Sequence, residues 1–357
     1  MHYHAILIFL SIFIKLVLSI FSESLRKKSN LIALAFFFCG FCMLLCLRDR
    51  EIGTDTLSYM RIFNGIKDTS LNNAFQIYGQ SYEITPILLV NVVSFFGGER
   101  LYIIVTSILI IAPFLYFYST ESRDAVLTIA LFANCLLYES LFSLTRQFLA
   151  LSLTIPAYYC IKKDKYILFL LFYLLAVSCH SSALIVILLL PLLKIRILSK
   201  HFVFIALLYL ILVFNIELIS SYSITFLEKT LYDQYRAYLG RSGQRALSIM
   251  FSILTLYSFM VLDEKQANQN DIGLRNILLF SSFLHLFSRV HPSIARLNLY
   301  FIFYIPVTIT IIQQKHQKKI DYIVFFVSIF MDVFLLIHFF YYKDDTYNIY
   351  NYKFFWE

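Results

Sequence analysis

Charged residues are scarce in this chain: Asp, Glu, Lys and Arg make up 15% of its 357 residues, against about 25% in soluble domains. Hydrophobic residues reach 60%. They come in long blocks with almost no charge, each close to the ~20 residues that cross a hydrocarbon core of about 30 Å. This composition excludes a soluble enzyme, a nucleic-acid-binding protein and a disordered chain. The sequence therefore predicts an all-α, polytopic integral membrane protein.

Glycine and proline are also few, with nine and six residues. Transporters often use broken helices with Gly or Pro at paired positions, so this shortage argues mildly against a transporter. No Walker A motif is present, which argues against nucleotide-driven transport. No Asp-rich pair or His/Glu cluster occurs, so we expect neither a metal site nor a cofactor. The six cysteines lie in or beside apolar blocks, where we expect free thiols rather than a disulfide framework.

The net charge of +8 raises the question of which loops are cytoplasmic, because Lys and Arg are enriched there. The basic turn at residues 26–28 follows the first apolar block, residues 5–21, and predicts a cytoplasmic turn with the N-terminus outside. Residues 48–82 are nearly charge-balanced and residues 220–245 are also polar, so both stretches are predicted as external loops. Counting blocks by hydrocarbon thickness gives about 12 transmembrane helices, with a range of 10–13, in a single transmembrane domain over residues 1–357.

Two apolar tracts are too long for one span. They cover residues 125–161 and 166–193, and the basic turn at 162–165 between them favours the cytoplasm. One tract is expected to cross once with a kink and the other twice, and the pattern does not decide which. Upstream, shorter blocks at residues 84–96 and 101–118 are predicted as single spans. Downstream, residues 263–275 are predicted as a cytoplasmic loop.

Two ionisable residues inside apolar tracts are the strongest site candidates, because charges in the membrane are costly and tend to be functional. Arg146 lies within the first long tract, and a guanidinium offers a planar fork that matches phosphate oxygens. A structural partner such as Glu139, or a position at an interface, would also explain it. His180 lies in a small polar notch, where an imidazole suits a general base. A hydrogen bond to a neighbouring helix explains it equally well.

Further candidates lie near the predicted external side. Glu83, at the mouth of the third predicted span, and Asp55, in the first external loop, are carboxylates that can act as bases. Thr54 or Asp55 is also suited to cap an interfacial helix that starts there. Arg289 and Arg296 bracket a short external turn, where a lipid-linked phosphate would lie, although Arg at a helix end is often only reaching the interface.

An ordered set of motifs resembles the EpsG-type polysaccharide polymerases, a family that overlaps in role with the Wzy O-antigen and capsule polymerases. The resemblance runs from about residue 48 to the C-terminus, and each motif is weak by itself. Thr85 departs from the pattern, because the family often has Glu-x-Gly where this chain has Glu83-Ile84-Thr85. The motifs are Arg50-x-x-Gly53-Thr-Asp55-x-x-x-Tyr59, Tyr82-Glu83, Ser143-x-x-Arg146-Gln147-x-x-Ala150, His180-Ser-Ser-Ala183, Arg296-x-x-x-Tyr300-Phe301 and Tyr352-Lys-Phe-Phe355.

The resemblance implies a membrane glycosyltransferase with a GT-C-like architecture in the bacterial inner membrane, with its active site facing the periplasm. Its substrate would be an undecaprenyl-diphosphate-linked oligosaccharide, its surroundings membrane lipid, and a chain-length co-polymerase its partner. Arg146, Arg289 and Arg296 are expected to bind the diphosphate. His180, Glu83 and Asp55, in that order, are candidates for the base. Nucleic acid is not expected as a partner.

Three other interpretations remain open at this stage. A flippase for the lipid-linked repeat unit would share the many spans and the buried Arg. Another membrane glycan-modifying enzyme, such as a ligase or an acyltransferase, would share the substrate chemistry. A scaffold without enzymatic activity would leave Arg146 and His180 unexplained.

Overall fold

A computed structural model describes residues 2–21, 23–230, 245–316, 321–341 and 345–357. The chain is 79% helical, with no strands in these ranges, which confirms the all-α prediction. It divides into two compact units. Unit 1 contains Met1–Ile187 and Phe330–Glu357, and unit 2 contains Leu188–Ile329.

Five helices in the described ranges are long and apolar enough to cross a membrane, or up to six if a pair bent by 40° counts as one span. The chain is therefore a membrane protein. The predicted number of about 12 spans is larger and stays a prediction. The five are Tyr3–Ile20, Lys28–Leu47, Glu99–Glu121, Ser199–Ile219 and Asp321–His338, and the bent pair is Ser293–Ile302 with Ile305–Gln314.

Unit 1 is built from ten α-helices, a 3₁₀ helix and the last part of a further helix. The α-helices are α1 (His2–Ile20), α2 (Glu23–Leu47), α3 (Thr56–Lys67), α4 (Leu71–Tyr78), α5 (Ile84–Ser94), α6 (Glu99–Glu121), α7 (Ala125–Asn134), α8 (Leu137–Ser140), α9 (Thr145–Lys162) and α10 (Tyr166–Cys179), followed by the 3₁₀ helix Ser181–Leu188. Helix α2 packs on α1 and α6, and α9 packs on α6 and α10. Much of the aromatic content fills this core, where Phe132 lies edge-on to Phe37, Phe38 and Phe41.

Contacts between turns define two opposite faces of unit 1. At the first, which we call the loop face, Thr54 N donates to Ser143 Oγ at 2.8 Å and Asp49 N donates to Lys353 O at 2.9 Å. At the second, which we call the basic face, Asn30 Nδ2 donates to Arg123 O at 2.9 Å. Helix α2 runs from the basic face to the loop face over 25 residues, a length of about 37 Å at ~1.5 Å per residue. The C-terminal tail therefore shares the loop face with residues 48–55.

The predicted span at residues 84–96 needs correction. Helix α5 has 11 residues, which extend about 16 Å at ~1.5 Å per residue, roughly half of a hydrocarbon core of ~30 Å. Both of its ends belong to the loop face. Glu83, which precedes it, pairs with Arg146 of the Ser143 segment, and Glu99, which follows it, accepts a hydrogen bond from Asn64 of α3. The hydropathy of residues 84–96 identified an apolar block. It did not show that the helix is too short to cross or that both of its ends lie at the loop face.

The tract 125–161 crosses unit 1 twice. It starts at the basic face, where Ala125 N donates to Asn30 Oδ1 at 3.3 Å. It reaches the loop face at Ser143 and returns through α9 to Lys162, which pairs with Glu121 at 2.8 Å. The tract 166–193 is likewise broken, at His180, between α10 and the 3₁₀ helix. The first tract is therefore the one that crosses twice, which is one of the two arrangements that the sequence left open.

Unit 2 holds α11 (Leu189–Lys194), the 3₁₀ helix Ser199–His201, α12 (Phe202–Thr230), α13 (Arg245–Val261), α14 (Gln269–Leu286), the 3₁₀ helix Phe287–Arg289, α15 (Pro292–Ile302), α16 (Ile305–Gln314) and the start of α17 (Asp321–Tyr341), whose end belongs to unit 1. The predicted loop 263–275 is shorter than expected, because Asn268 caps α14. Arg275 of α14 is fully buried and pairs with Glu264 at 2.7 Å. The predicted external loop 220–245 is helical through Thr230, and residues 231–244 lie outside the described residues.

Candidate functional site

The candidate site forms where the two long apolar tracts break. In the first tract α8 ends at Ser140, and α9 begins at Thr145, so Arg146 lies in the first turn of α9. In the second tract α10 ends at Cys179, and His180 is extended, with φ −159° and ψ 125°. Both residues were predicted to lie inside long apolar tracts, His180 in a small polar notch. The breaks bring each polar side chain to a helix end at the loop face.

Glu83 connects these two residues. Its Oε2 accepts a hydrogen bond from Arg146 Nη1 at 2.9 Å, and its Oε1 contacts His180 Nδ1 at 2.8 Å. The backbone N–H of Ser181 also donates to Oε1 at 2.8 Å. The three side chains are each about one fifth to one quarter exposed, so the cluster is partly shielded but open to a ligand. The structure thus brings together three of the six predicted site residues.

The carboxylate of Glu83 is held in its ionised form. Burial by itself raises the pKa of this carboxyl, but the hydrogen bonds from His180 and Ser181 outweigh it and lower the pKa to about 2. A carboxylate with such a low pKa is a weak proton acceptor at neutral pH. Glu83 is therefore better suited to orient His180 and Arg146 than to act as the base.

Arg146 is surrounded by groups that sequence analysis did not assign to the site. Its guanidinium stacks on the ring of Tyr82 at 4.0 Å, and Nη1 donates to Ser81 O at 3.3 Å. The buried Nε has no hydrogen-bond partner in the described part of the chain. Tyr59 of α3 also lies within electrostatic range of the guanidinium, while burial raises the pKa of its phenol to about 12. One donor of Arg146 thus remains available to an anion.

The first loop binds directly to the break before Arg146. Thr54 donates to Ser143 Oγ from both its backbone N–H, at 2.8 Å, and its hydroxyl, at 3.1 Å. Gly53 has φ +87°, and a Cβ there would lie 2.1 Å from Phe142 O. Only glycine adopts this backbone at little cost and permits so close an approach. The resembling motifs around Gly53 and Ser143 are therefore two halves of one contact.

Asp55 occupies the N-cap position of α3, as the sequence predicted, but its side chain makes no capping hydrogen bond. Instead, Asp55 Oδ1 accepts a hydrogen bond from the Thr54 hydroxyl at 3.3 Å. Asp55 also lies within electrostatic range of Tyr59 and Tyr82. It is a neighbour of the cluster and not a member of its hydrogen-bond chain.

Thr85 replaces the glycine of the resembling motif and forms a contact of its own. Its hydroxyl lies 2.7 Å from Ser178 Oγ of α10. Because Thr85 follows Glu83 by two residues and Ser178 precedes His180 by two, this bond ties the two backbones together at the site. Sequence analysis recorded the departure but could not predict its partner.

Arg289 and Arg296 belong to unit 2. Arg296 is exposed near the start of α15, and the backbone of Arg289 ends the preceding 3₁₀ helix. Their assignment to a diphosphate stays a prediction. In the described ranges no group of three or more His, Cys, Asp and Glu side chains is arranged to hold a metal ion.

Fold and site together define a helical membrane protein with an arginine–carboxylate–histidine cluster at one face of a broken-helix bundle. The EpsG family model matches residues 31–354, so the chain belongs to the EpsG family. Neither a curated protein nor a solved structure matches it.

Proposed function

We propose that this chain polymerises undecaprenyl-diphosphate-linked oligosaccharide repeat units into O-antigen or capsular polysaccharide at the external side of the bacterial inner membrane. The observation that carries the proposal is the Glu83 carboxylate, which links Arg146 to His180. Membership of the EpsG family supports a role in polysaccharide polymerisation. About 12 spans in a GT-C-like arrangement, forming a single domain, belong to the same proposal.

In the proposed reaction, a hydroxyl of the incoming repeat unit attacks the anomeric carbon of the growing glycan. A new C–O bond forms there, the bond from that carbon to the diphosphate oxygen breaks, and polyprenyl diphosphate leaves with the bond's electron pair. The hydroxyl proton passes to His180. Deprotonating the nucleophile and stabilising the departing anion are the two tasks that side chains can accelerate.

His180 is the base that the geometry favours. Its Nδ1 is engaged by Glu83 at 2.8 Å, and its Nε2 has no hydrogen-bond partner in the described ranges. A carboxylate on one imidazole nitrogen fixes the tautomer and stabilises the imidazolium that forms when the other nitrogen takes a proton. Asp55 would then orient sugar hydroxyls from α3.

Arg146 is assigned to the leaving diphosphate. Its guanidinium carries the charge, and its buried Nε supplies a donor without a partner. A fixed positive charge in a shielded site stabilises a departing anion far more than the same charge in water. Arg289 and Arg296, in unit 2, keep their assignment to a lipid diphosphate as part of the proposal.

The external orientation is supported by the charges of unit 1. The loop face holds acidic and basic side chains in nearly equal number. Basic residues are enriched in cytoplasmic turns, so the basic face is assigned to the cytoplasm and the site to the exterior. The basic face carries Lys28, Arg123, Lys162, Lys163 and Lys165.

Deletion in the native host tests this function. Electrophoresis of surface glycan should show single-repeat caps without the long ladder, because repeat units are still made and exported. Complementation with Arg146→Ala or His180→Ala should fail to restore the ladder, and Arg61→Ala, an exposed position on α3, should restore it. Loss of even the single repeat from the surface would indicate a flippase instead. A separate co-polymerase is expected to set chain length, and its deletion should shift the ladder without removing it.

A further inference from the structure

A second pair of arginines lies at the loop face, apart from the predicted site residues. Arg48 follows the C-terminal end of α2 and is 3% exposed. Arg100 opens α6, and its Nη1 donates to Arg48 O at 2.7 Å. The ring of Phe355, in the C-terminal tail, stacks on the Arg100 guanidinium at 3.9 Å. Arg48 is thus buried, and Arg100 is half-buried and close enough for its charge to act on Arg48.

Several donors of this pair are unused. Arg48 Nε, Arg100 Nε and Arg100 Nη2 are buried without a hydrogen-bond partner in the described part of the chain. No ion pair involves either residue in those ranges. Asp49 acts on Arg100 through its charge, without a hydrogen bond between them in the described ranges, and its Oδ1 accepts from Glu51 N at 3.0 Å. Arg48 Nη1 does have an acceptor, Leu45 O at 3.2 Å. Leaving the other buried donors without acceptors is costly, and burial lowers the pKa of Arg48 to about 10.

An apolar cleft adjoins the pair. It has a volume of about 300 Å³ and lies between α1 and α2, with Leu44, Leu47 and Phe354 at its loop-face end. Leu47 is the residue before Arg48, and Phe354 forms an isolated backbone bridge with Arg48. The remaining walls, which include Leu10, Phe36 and Met43, are apolar. The loop-face end of the cleft is therefore formed by the chain neighbour and the bridge partner of Arg48, and the arginine side chains lie behind this end and outside the lining.

We propose that Arg48, Arg100 and this cleft form a second binding site for an isoprenoid diphosphate, with the diphosphate on the two guanidiniums and the isoprenoid chain in the cleft. The unused N–H groups match phosphate oxygens. Ile6 and Met43 are exposed at the open side of the cleft, and both belong to helices apolar enough to cross a membrane, so a lipid chain would enter from the bilayer without crossing water.

The proposed reaction makes a second such site useful, and in this respect the inference rests on the proposed function. Joining two lipid-linked chains requires one diphosphate to leave and the other to stay attached to the product. Arg146 serves the leaving diphosphate, and the Arg48–Arg100 pair holds the one that stays. Tyr59 lies within electrostatic range of both Arg48 and Arg146, so the two cationic groups flank one side chain.

Equilibrium binding of labelled farnesyl diphosphate to the purified full chain in lipid nanodiscs tests the proposal. We expect two sites in the wild-type protein. The double variant Arg48→Gln/Arg100→Gln should keep one and bind at the other at least about tenfold more weakly, the scale of losing charge-assisted hydrogen bonds. Arg61→Gln, on the exposed surface of α3, is the matched control and should keep both sites.

The variant results separate this inference from the proposed function. If Arg146→Ala keeps both sites while the double variant loses one, the second site stands and the assigned role of Arg146 fails. If the double variant keeps both sites, the second site is refuted. Loss of both sites with a lower unfolding temperature means that the pair is structural, which also overturns the proposal.

The source of the phosphate is tested by competition and by blocking the cleft. Met43→Trp alters an exposed position of the cleft. It should weaken farnesyl diphosphate binding at the pair and leave inorganic pyrophosphate binding unchanged. If pyrophosphate binds the pair as tightly as farnesyl diphosphate, the site is one for free phosphate. If phosphatidylglycerol competes equally, it is one for general anionic lipid. Either result contradicts the proposal.

Discussion

Replacing Glu83 with Gln removes one negative charge while keeping the size of the side chain. The pKa of Glu83 lies at about 2 instead of 4.5, and a shift of this size corresponds to about 3 kcal/mol in favour of the ionised form. That interaction comes mainly from the hydrogen bonds that His180 and the Ser181 N–H make to the carboxylate. If roughly half of it orients the base and the guanidinium in the transition state, activity should fall about tenfold, and if nearly all of it does, more than a hundredfold.

The assay is the rate of polymer formation by the purified variant, with Glu51→Gln, an exposed carboxylate of the first loop, as the matched control. A Gln side chain still accepts from Ser181 N–H but presents no charge to Arg146 or His180. The rate should therefore fall while the protein stays folded. Polymer formation at the wild-type rate by Glu83→Gln would refute the assignment of Glu83 as the group that orients the other two.

Three further outcomes are expected. Because the folded-state pKa of Glu83 is lowered, its contribution to stability is present above about pH 4.5 and is lost as the pH falls towards 2. Thermal unfolding at pH 6 and pH 3 should therefore show a larger loss for wild type than for Glu83→Gln, and equal losses would contradict this reasoning. Gly53→Ala places a Cβ 2.1 Å from Phe142 O at φ +87°. It should destabilise the loop by at least ~1–2 kcal/mol and shorten the glycan ladder. The control Gly98→Ala, where a Cβ meets nothing within 4 Å, should leave the ladder intact. Thr85→Val breaks the bond to Ser178 and should lower the rate by about five- to tenfold, the scale of one hydrogen bond. Thr69→Val, which removes a hydroxyl bonded to Gly65 O in the turn after α3, should not.

The importance of Arg146 and His180 could be predicted from sequence because membrane tracts seldom carry charges without a reason. Their shared partner could not. Glu83 lies 63 residues from Arg146 and 97 from His180, and no local periodicity reports a contact across such distances. The sequence offered Glu139 as a partner for Arg146, but Glu139 is buried within range of Tyr350.

The errors in topology have a physical source. Hydropathy measures how apolar a block is, and residues 84–96 are apolar enough for a span. Whether a helix crosses the membrane depends on its length and on the faces at which its two ends lie. For α5, Glu83 and Glu99 hold the two ends at the loop face through contacts with residues that are distant in the sequence.

The arginine pair was hidden by its neighbours in the sequence. Arg48 is followed by Asp49, Arg50 and Glu51, and this alternation is typical of a solvated, charge-balanced loop. In the folded chain Arg48 turns inward under Phe142 and the C-terminal tail, while Glu51 is exposed. Burial thus separates the positive charge of Arg48 from the neighbouring carboxylates that balance it in the sequence.

The central claim is that this chain joins lipid-linked repeat units through His180, Glu83 and Arg146. Its most direct test is reconstitution of the purified protein in vesicles with purified lipid-linked repeat unit as the sole substrate. The account predicts glycans of increasing length, one polyprenyl diphosphate released for each linkage formed, and neither product from His180→Ala. Unchanged repeat units in the presence of folded wild-type protein, or polymer formed at the wild-type rate by His180→Ala, would contradict it.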